Sequence, residues 1–261
     1  MIGLPNLRCT AFWLLLLWCG HAASQPVVIL RGGGHYPPDE MLVDGELSGF
    51  HIEVIRAVAR QLALEIRFES VPWARAQYML RNGQGDALSF LAHNKERAQY
   101  AVFLPGNILS SIDHYLVYHP DHPPAFPFTG SLAQLHNHSV GIRHGYSYGQ
   151  VFDDAREIFK VVVQDDQQML KLLRDGRIDL AVMNAVDFFK LKQQPGFAHL
   201  QKLPVPLSTT PNYLAFSRGS EHSRDRRALA QRFSQAMIRF RQTPEYQRLY
   251  QKYNKHFQLP D

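Results

Sequence analysis

The strongest constraint on this chain is a motif that occurs twice. Leu80-Arg81-Asn82-Gly83-Gln84-Gly85-Asp86-Ala87-Leu88 and Leu173-Arg174-Asp175-Gly176-Arg177-Ile178-Asp179-Leu180-Ala181 share the pattern L-R-[N/D]-G-x-x-D followed by apolar residues. Each copy reads as the end of a helix running into a strand. Gly83 and Gly176 suit the left-handed position after a helix, and residues 87–92 and 178–183 read as buried parallel strands. Helical periodicity precedes both, through Ala76, Met79 and Leu80 in one copy and Met169, Leu172 and Leu173 in the other. A solenoid would show shorter and more numerous repeats, so two copies this far apart point to two similar α/β lobes.

The flanking segments complete each lobe. Residues 27–30 form a short strand, Ile52, Ile55, Val58, Ala59 and Leu62 give one helix face, and residues 64–68 return as a strand. In the second half, residues 139–142, 150–159 and 160–163 repeat the strand, helix, strand order. The proline-rich stretch 119–127 cannot be helix interior or central strand, so it lies at or just past the passage from lobe one to lobe two, and 204–211 reads as the return. Two helices, 225–242 and 244–256, end the chain, with Thr243 as N-cap and Pro244 at the first helical position. A chain that crosses twice between two α/β lobes leaves a cleft at the carboxyl ends of their strands, where ligands generally bind.

Arg8 is the only charged residue before position 31, and it precedes the apolar run from Cys9 to Cys19 and the small residues Ala22, Ala23 and Ser24. Residues 1–24 therefore read as a secretory signal peptide cleaved near Ser24, which sends the mature chain to the periplasm. Lipid attachment at Cys19 is a rival reading, but the bulky Trp18 before it fits such sites poorly. Both cysteines of the sequence lie in the leader, so the mature chain has no disulfide and no thiol nucleophile. Twenty-eight Lys plus Arg against 23 Asp plus Glu give a formal charge of +5 without any run of like charge, which argues against a nucleic-acid partner and is compatible with small anionic solutes.

Gly49-Phe50-His51-Ile52-Glu53, Val71-Pro72-Trp73, the step from Gly83 to Ala87, Glu96-Arg97 with Phe103 and Pro105 after it, and Gly176-Arg177-Ile178-Asp179 together resemble the family 3 extracellular solute-binding proteins. The resemblance covers residues 27–253. Each motif is weak alone, and their order and spacing carry the likeness. It implies a two-lobed, type II periplasmic-binding-protein fold with two crossovers and a central cleft. Residues 25–115 would form the first part of lobe one, 116–213 lobe two, and 214–261 the return to lobe one. It also implies a monomer that captures a small polar solute, an amino acid or related carboxylate, by hinge closure. The partner would be a membrane permease of the ABC type or, alternatively, a sensor or chemoreceptor. No cofactor and no metal are expected.

Arg97 carries an always-protonated planar fork suited to a carboxylate, and the resemblance makes it the clamp for a ligand α-carboxylate, although Asn94 stands where the family motif has Thr. Ser89 and the Phe90 backbone are the neighbouring candidate donors. Gly145-Tyr146-Ser147 reads as the opening of a helix, where amides and a hydroxyl can hold an anion. Tyr36 and Trp73 are the aromatic candidates of lobe one. Asn184 stands where relatives that bind α-amino acids commonly have an acid. It carries no charge to offset a buried ammonium, a part that Asp187 can take.

Two other classes compete. Gly145-Tyr146-Ser147-Tyr148-Gly149 matches the G-x-S-x-G nucleophile elbow, with Asp179 or Asp187 and His199 as possible partners, and dehydratase chemistry is known on this fold. Against the elbow, Asp179 occupies the structural position of the repeat. The 13 histidines include the pairs His119/His122 and His136/His138, but no spacing such as H-E-x-x-H supports a metal site.

Overall fold

The computed structural model describes residues 25–124, 127–219 and 225–254. The expected signal peptide, and Cys19 with it, lies outside the described residues. The elements in chain order are β1 (Val27–Gly32), β2 (Met41–Val43), β3 (Glu46–Ser48), α1 (Phe50–Gln61), β4 (Ile66–Val71), α2 (Trp73–Arg81), β5 (Ala87–Ala92), α3 (Arg97–Tyr100), β6 (Ala101–Val102) and β7 (Ile108–Tyr118). They continue with β8 (Ser139–Arg143), α4 (Gln150–Asp154), β9 (Phe159–Val163), α5 (Asp166–Arg174), β10 (Leu180–Asn184), α6 (Ala185–Lys192), β11 (Gln201–Ser217), α7 (Arg226–Phe240) and α8 (Pro244–Asn254).

The strands run in the order β4-β1-β5-β11-β7-β10-β8-β9, with β6 also paired to β11. Within lobe one, β1 is parallel to β4 and β5; within lobe two, β8 is parallel to β9 and β10. The long strands β7 and β11 are antiparallel to each other and join the halves. The architecture is the expected two-lobed α/β fold with two crossovers. Boundaries at 115/116 and 213/214 fall inside these two strands.

Alternation along the strands explains why helices cover both faces. Ile29 and Ala87 point into a core with Phe50, Val58, Phe233 and Phe240 of α1 and α7, whereas their neighbours Leu30 and Leu88 point into one with Ala76 and Leu80 of α2. Lobe two repeats this. Leu180 and Val182 join Val140 and Phe152, while Ala181 and Met183 join Met169, Leu173 and Phe188.

The repeated aspartate has a local task in each lobe. The Asp86 carboxylate accepts from the Val28 amide at 2.9 Å and the Asp86 amide donates to the Val28 carbonyl, so side chain and backbone together tie β5 to β1. Asp179 does the same for Ser139 at the start of β8, accepting from its amide at 2.7 Å and its hydroxyl at 2.6 Å. Gly83 and Gly176 precede them with φ of 73° and 65°, the left-handed conformation that the motif needs. Asp179 is exposed, so Asp179→Ala is expected to cost only about 1–2 kcal/mol, measurable as a lower urea midpoint with an unchanged slope.

Three expectations are corrected. Helix α4 stops at Asp154 instead of running to 159, because Ala155 and Ile158 turn into the lobe-two core and Lys160 Nζ binds the freed carbonyls of Asp153 and Ala155 at 3.1 and 2.7 Å. The strands expected at 64–68 and 178–183 are shifted, to Ile66–Val71 and Leu180–Asn184. The return expected at 204–211 lies within β11, which tolerates its prolines through register shifts around Pro206 and after Lys202. Thr243 caps α8 as expected, its hydroxyl accepting from the Tyr246 amide at 3.2 Å.

Candidate functional site

A cavity of about 280 Å³ lies between the lobes, close to the lower end of the size range of small-molecule pockets. Tyr36, Trp73, Phe90, Arg97, Tyr146, Ser147 and Asn184 all line it. Ser89 does not. It is fully buried behind the wall and its hydroxyl donates to the Leu30 carbonyl at 3.4 Å.

The Phe90 ring reaches the cavity because β5 bulges. Between the pairs Leu88–Ala215 and Leu91–Tyr213, residues 89 and 90 oppose the single residue 214, and Phe90 takes φ 62°, a strained value for an aromatic residue. Its ring stacks on Tyr36 with centroids 5.6 Å apart and planes 24° apart. The Tyr36 hydroxyl in turn meets the Tyr146 hydroxyl of lobe two at 3.3 Å.

Arg97 opens the short helix α3, its amide bonded to the Asn94 side chain at 2.8 Å. Asn94, standing where the family motif has Thr, therefore still supplies an acceptor to the start of that helix. Arg97 as a whole is 4% exposed. Nη1 donates to the Ala92 carbonyl at 2.8 Å, and Nη2 crosses the cleft to the Gly145 carbonyl at 2.9 Å, which also accepts from Trp73 Nε1 at 3.1 Å. Burial pulls the guanidinium below its ordinary pKa, against the opposing pull of Tyr100 and the carboxylates of Asp153 and Glu96. It remains a buried cation held by neutral carbonyls, which suits it to an incoming anion.

Lobe two differs from expectation at Gly145-Tyr146-Ser147. The helix begins only at Gln150, and the segment turns a carbonyl, that of Gly145, toward Arg97. The Ser147 hydroxyl donates to Asp153, whose other oxygen accepts from the Tyr148 amide at 2.9 Å. An internal carboxylate thus already takes the donors that the helix-start reading reserved for an anion. Asn184 is likewise engaged: it caps α6, accepting from the Asp187 amide at 2.8 Å and donating to the Asp187 carboxylate at 2.6 Å.

Sequence reasoning missed an acidic lining. Asp39, Glu40, Asp113 and Asp166 face the cavity along with Asp187. Glu40 pairs with the buried Arg31 at 3.0 Å, and Asp166 with Arg143 at 3.1 Å, burial nevertheless raising the pKa of Asp166. The histidine in the wall is His114, which burial pushes down to about 4, so it is neutral. The adjacency of Asp39 and Glu40 just after Tyr36 was the available signal.

The partners proposed for a serine elbow do not meet. Asp179 binds Ser139, Asp187 binds Asn184, and the His199 ring packs on His119 at 4.7 Å. The paired histidines lie outside the cavity lining. Among the described residues no group of three or more His, Cys, Asp or Glu side chains is placed to hold a metal ion.

The profile of the bacterial extracellular solute-binding proteins, family 3, matches residues 29–256. This chain belongs to that family. Among the relatives of this solute-binding protein is the arginine-binding periplasmic protein of Mannheimia haemolytica, 22% identical over 247 residues, which cover 89% of this chain and 92% of the relative. Similar solved structures include a histidine kinase sensor domain resembling periplasmic binding proteins, with TM-score 0.66, 21% identity and coverage of 87% of this chain and 95% of that one. Another is the substrate-binding protein of an amino acid ABC transporter, with TM-score 0.63, 17% identity and coverage of 88% and 99%. Likenesses at this identity establish the fold of the solute-binding protein. Among its described residues no helix is long and apolar enough to cross a membrane.

Proposed function

We propose that this protein is a periplasmic receptor that captures a small amino acid or related carboxylate by hinge closure and hands it to an ABC-type permease, without making or breaking a bond. The observation that carries this reading is Arg97, a buried guanidinium on the wall of a cavity formed by both lobes, reaching from one lobe to the other. A ligand carboxylate takes the place of the Gly145 carbonyl at Nη2 and gains a charge-assisted bond. Tyr36, Phe90, Trp73 and Tyr146 supply aromatic walls from both sides, so the contacts are complete only when the lobes are together and the ligand favours the closed state. Asp187, not Asn184, offers the charge for an α-ammonium.

The second reading, ligand capture for a sensor, is favoured by the likeness to a sensor domain across 87% of this chain. It shares the site and differs in the partner that reads the closed form.

The test is thermal unfolding of residues 25–261 against amino acids, dicarboxylates, polyamines, sugars and an ester. A ligand at 100 times its Kd adds about 2.7 kcal/mol, a rise of several degrees. A rise with an amino acid or organic acid is the expected result. Ser147→Ala is expected to leave ester turnover at the buffer rate, as in the parent. Turnover that this substitution abolishes, with no ligand-induced rise, would overturn the receptor reading.

A further inference from the structure

Asp39 lies on the lobe-one wall of the cavity, in the loop between β1 and β2. Its side chain is 21% exposed. Of the carboxylates facing the cavity, Glu40 and Asp166 are each neutralised by an arginine of their own lobe, and Asp187 is held by the Asn184 amide. Asp113 accepts from the Thr209 hydroxyl at 2.6 Å. Among the described residues Asp39 has one charged or chargeable neighbour of opposite sign, His51 Nε2 at 3.4 Å, longer than a good hydrogen bond. Burial raises the pKa of Asp39, the sign of a carboxylate removed from water without strong donors in exchange. Beside it the stacked rings of Tyr36 and Phe90 present aromatic surface to the same cavity, and such rings attract cations.

His51 stands directly behind. It is fully buried in α1; its Nε2 meets the Ser110 hydroxyl of β7 at 2.9 Å, its Nδ1 faces Glu40 Oε1 at 3.6 Å, and its ring packs on Phe90 of β5 at 5.0 Å. Nδ1 and that Glu40 oxygen are both buried and have no hydrogen-bond partner among the described residues. Arg31 of β1 stands on the far side of Glu40. The titratable groups facing the imidazole are thus the two carboxylates. Burial opposes its protonation, and they outweigh burial, so its pKa is raised.

We propose that Asp39 is the specificity carboxylate of the cleft, receiving a cationic ligand side chain, and that His51 is its positioning residue, so that the ligand cation and the His51 proton compete for the same carboxylate. This rests on the receptor reading above. Arg97 takes the ligand carboxylate, Asp187 the α-ammonium and Asp39 the side-chain cation, which describes a dibasic α-amino acid. The sign of the pH effect follows. A cation arriving at Asp39 weakens what holds the His51 proton, so binding releases protons and tightens as pH rises through the His51 pKa. A ligand with a neutral side chain lacks this slope.

Titration calorimetry with L-arginine and with L-citrulline, its neutral isostere, between about pH 5.5 and 8 tests this. The parent is expected to prefer arginine, and Asp39→Asn to reduce that preference about tenfold to a hundredfold while citrulline affinity is kept. His51→Gln is expected to flatten the pH slope for arginine alone; a merely structural role would shift both ligands together. An unchanged preference in Asp39→Asn, or a parent that binds neutral or acidic amino acids better than arginine, overturns the inference and leaves the receptor reading standing. If the parent binds no amino acid or carboxylate, the receptor reading itself fails. Asp39→Asn is isosteric and partly exposed, so the test does not depend on the fully buried His51 variant folding.

Discussion

Arg97→Ala is expected to weaken amino-acid binding by about 30-fold to several thousand-fold, the equivalent of the 2–5 kcal/mol lost when one partner of a buried, hydrogen-bonded charge pair is truncated. The ligand carboxylate would be desolvated in the cavity without a counter-charge, and the Nη2 donor that exchanges the Gly145 carbonyl for it would be missing. Arg97→Lys is expected to recover little, because one ammonium cannot hold the Ala92 carbonyl and a ligand carboxylate together with the geometry of a planar fork. Calorimetry with the ligand found by thermal unfolding measures the loss. Circular dichroism of the variant shows that the fold persists, as expected for a residue whose contacts lie at the cleft. Unchanged affinity in Arg97→Ala would remove this residue from the site and with it the carboxylate reading of the ligand.

Asp86→Ala is expected to destabilise the protein by about 3–5 kcal/mol, the range for breaking a buried ion pair from one side. The substitution takes the Asp86 carboxylate, bonded at 3.0 Å, away from Arg226, whose side chain is 3% exposed. It also strips the Val28 amide of its acceptor at the start of β1. Arg226 still donates to the Gly83 carbonyl at 2.7 Å, so the α7 contact is loosened more than lost. Urea unfolding gives the size of the effect. The double variant Asp86→Ala, Arg226→Met is expected to recover part of the stability, since it removes the buried cation together with the Asp86 carboxylate. A loss no larger than that of Asp179→Ala would mean that the ion pair adds nothing to what the strand tie supplies. The comparison is informative because the two aspartates occupy the same motif position and make the same tie, and differ in burial and in Arg226.

Much of the candidate site was legible residue by residue. Arg97, Tyr36, Trp73, Tyr146 and Asn184 stand out in the sequence by residue type and place in the motifs, and all line the cavity. Their partners were not legible. The Gly145-Tyr146-Ser147 segment offered amides on the helix-start reading, yet a carbonyl faces Arg97, because Asp153 inside the same segment takes the Ser147 hydroxyl and the Tyr148 amide. His51 belongs to a motif that carried the family likeness, but its chemistry depends on Asp39 and Glu40, a dozen residues earlier, and on Ser110, 59 residues later.

The sequence by itself determined the two-lobed α/β plan. The doubled helix, glycine, aspartate motif, the alternation of apolar residues and the caps depend on neighbours within a few turns or on a side chain's own backbone preference, and those are written in order along the chain. Only the tertiary structure decided which groups meet in the cleft. The bulge that turns Phe90 inward, the burial that sets Asp39 beside the His51 imidazole, and the bond from Arg97 to Gly145 depend on strands and loops brought together from distant positions. Desolvation and pairing act on distances in space, which sequence separation does not record.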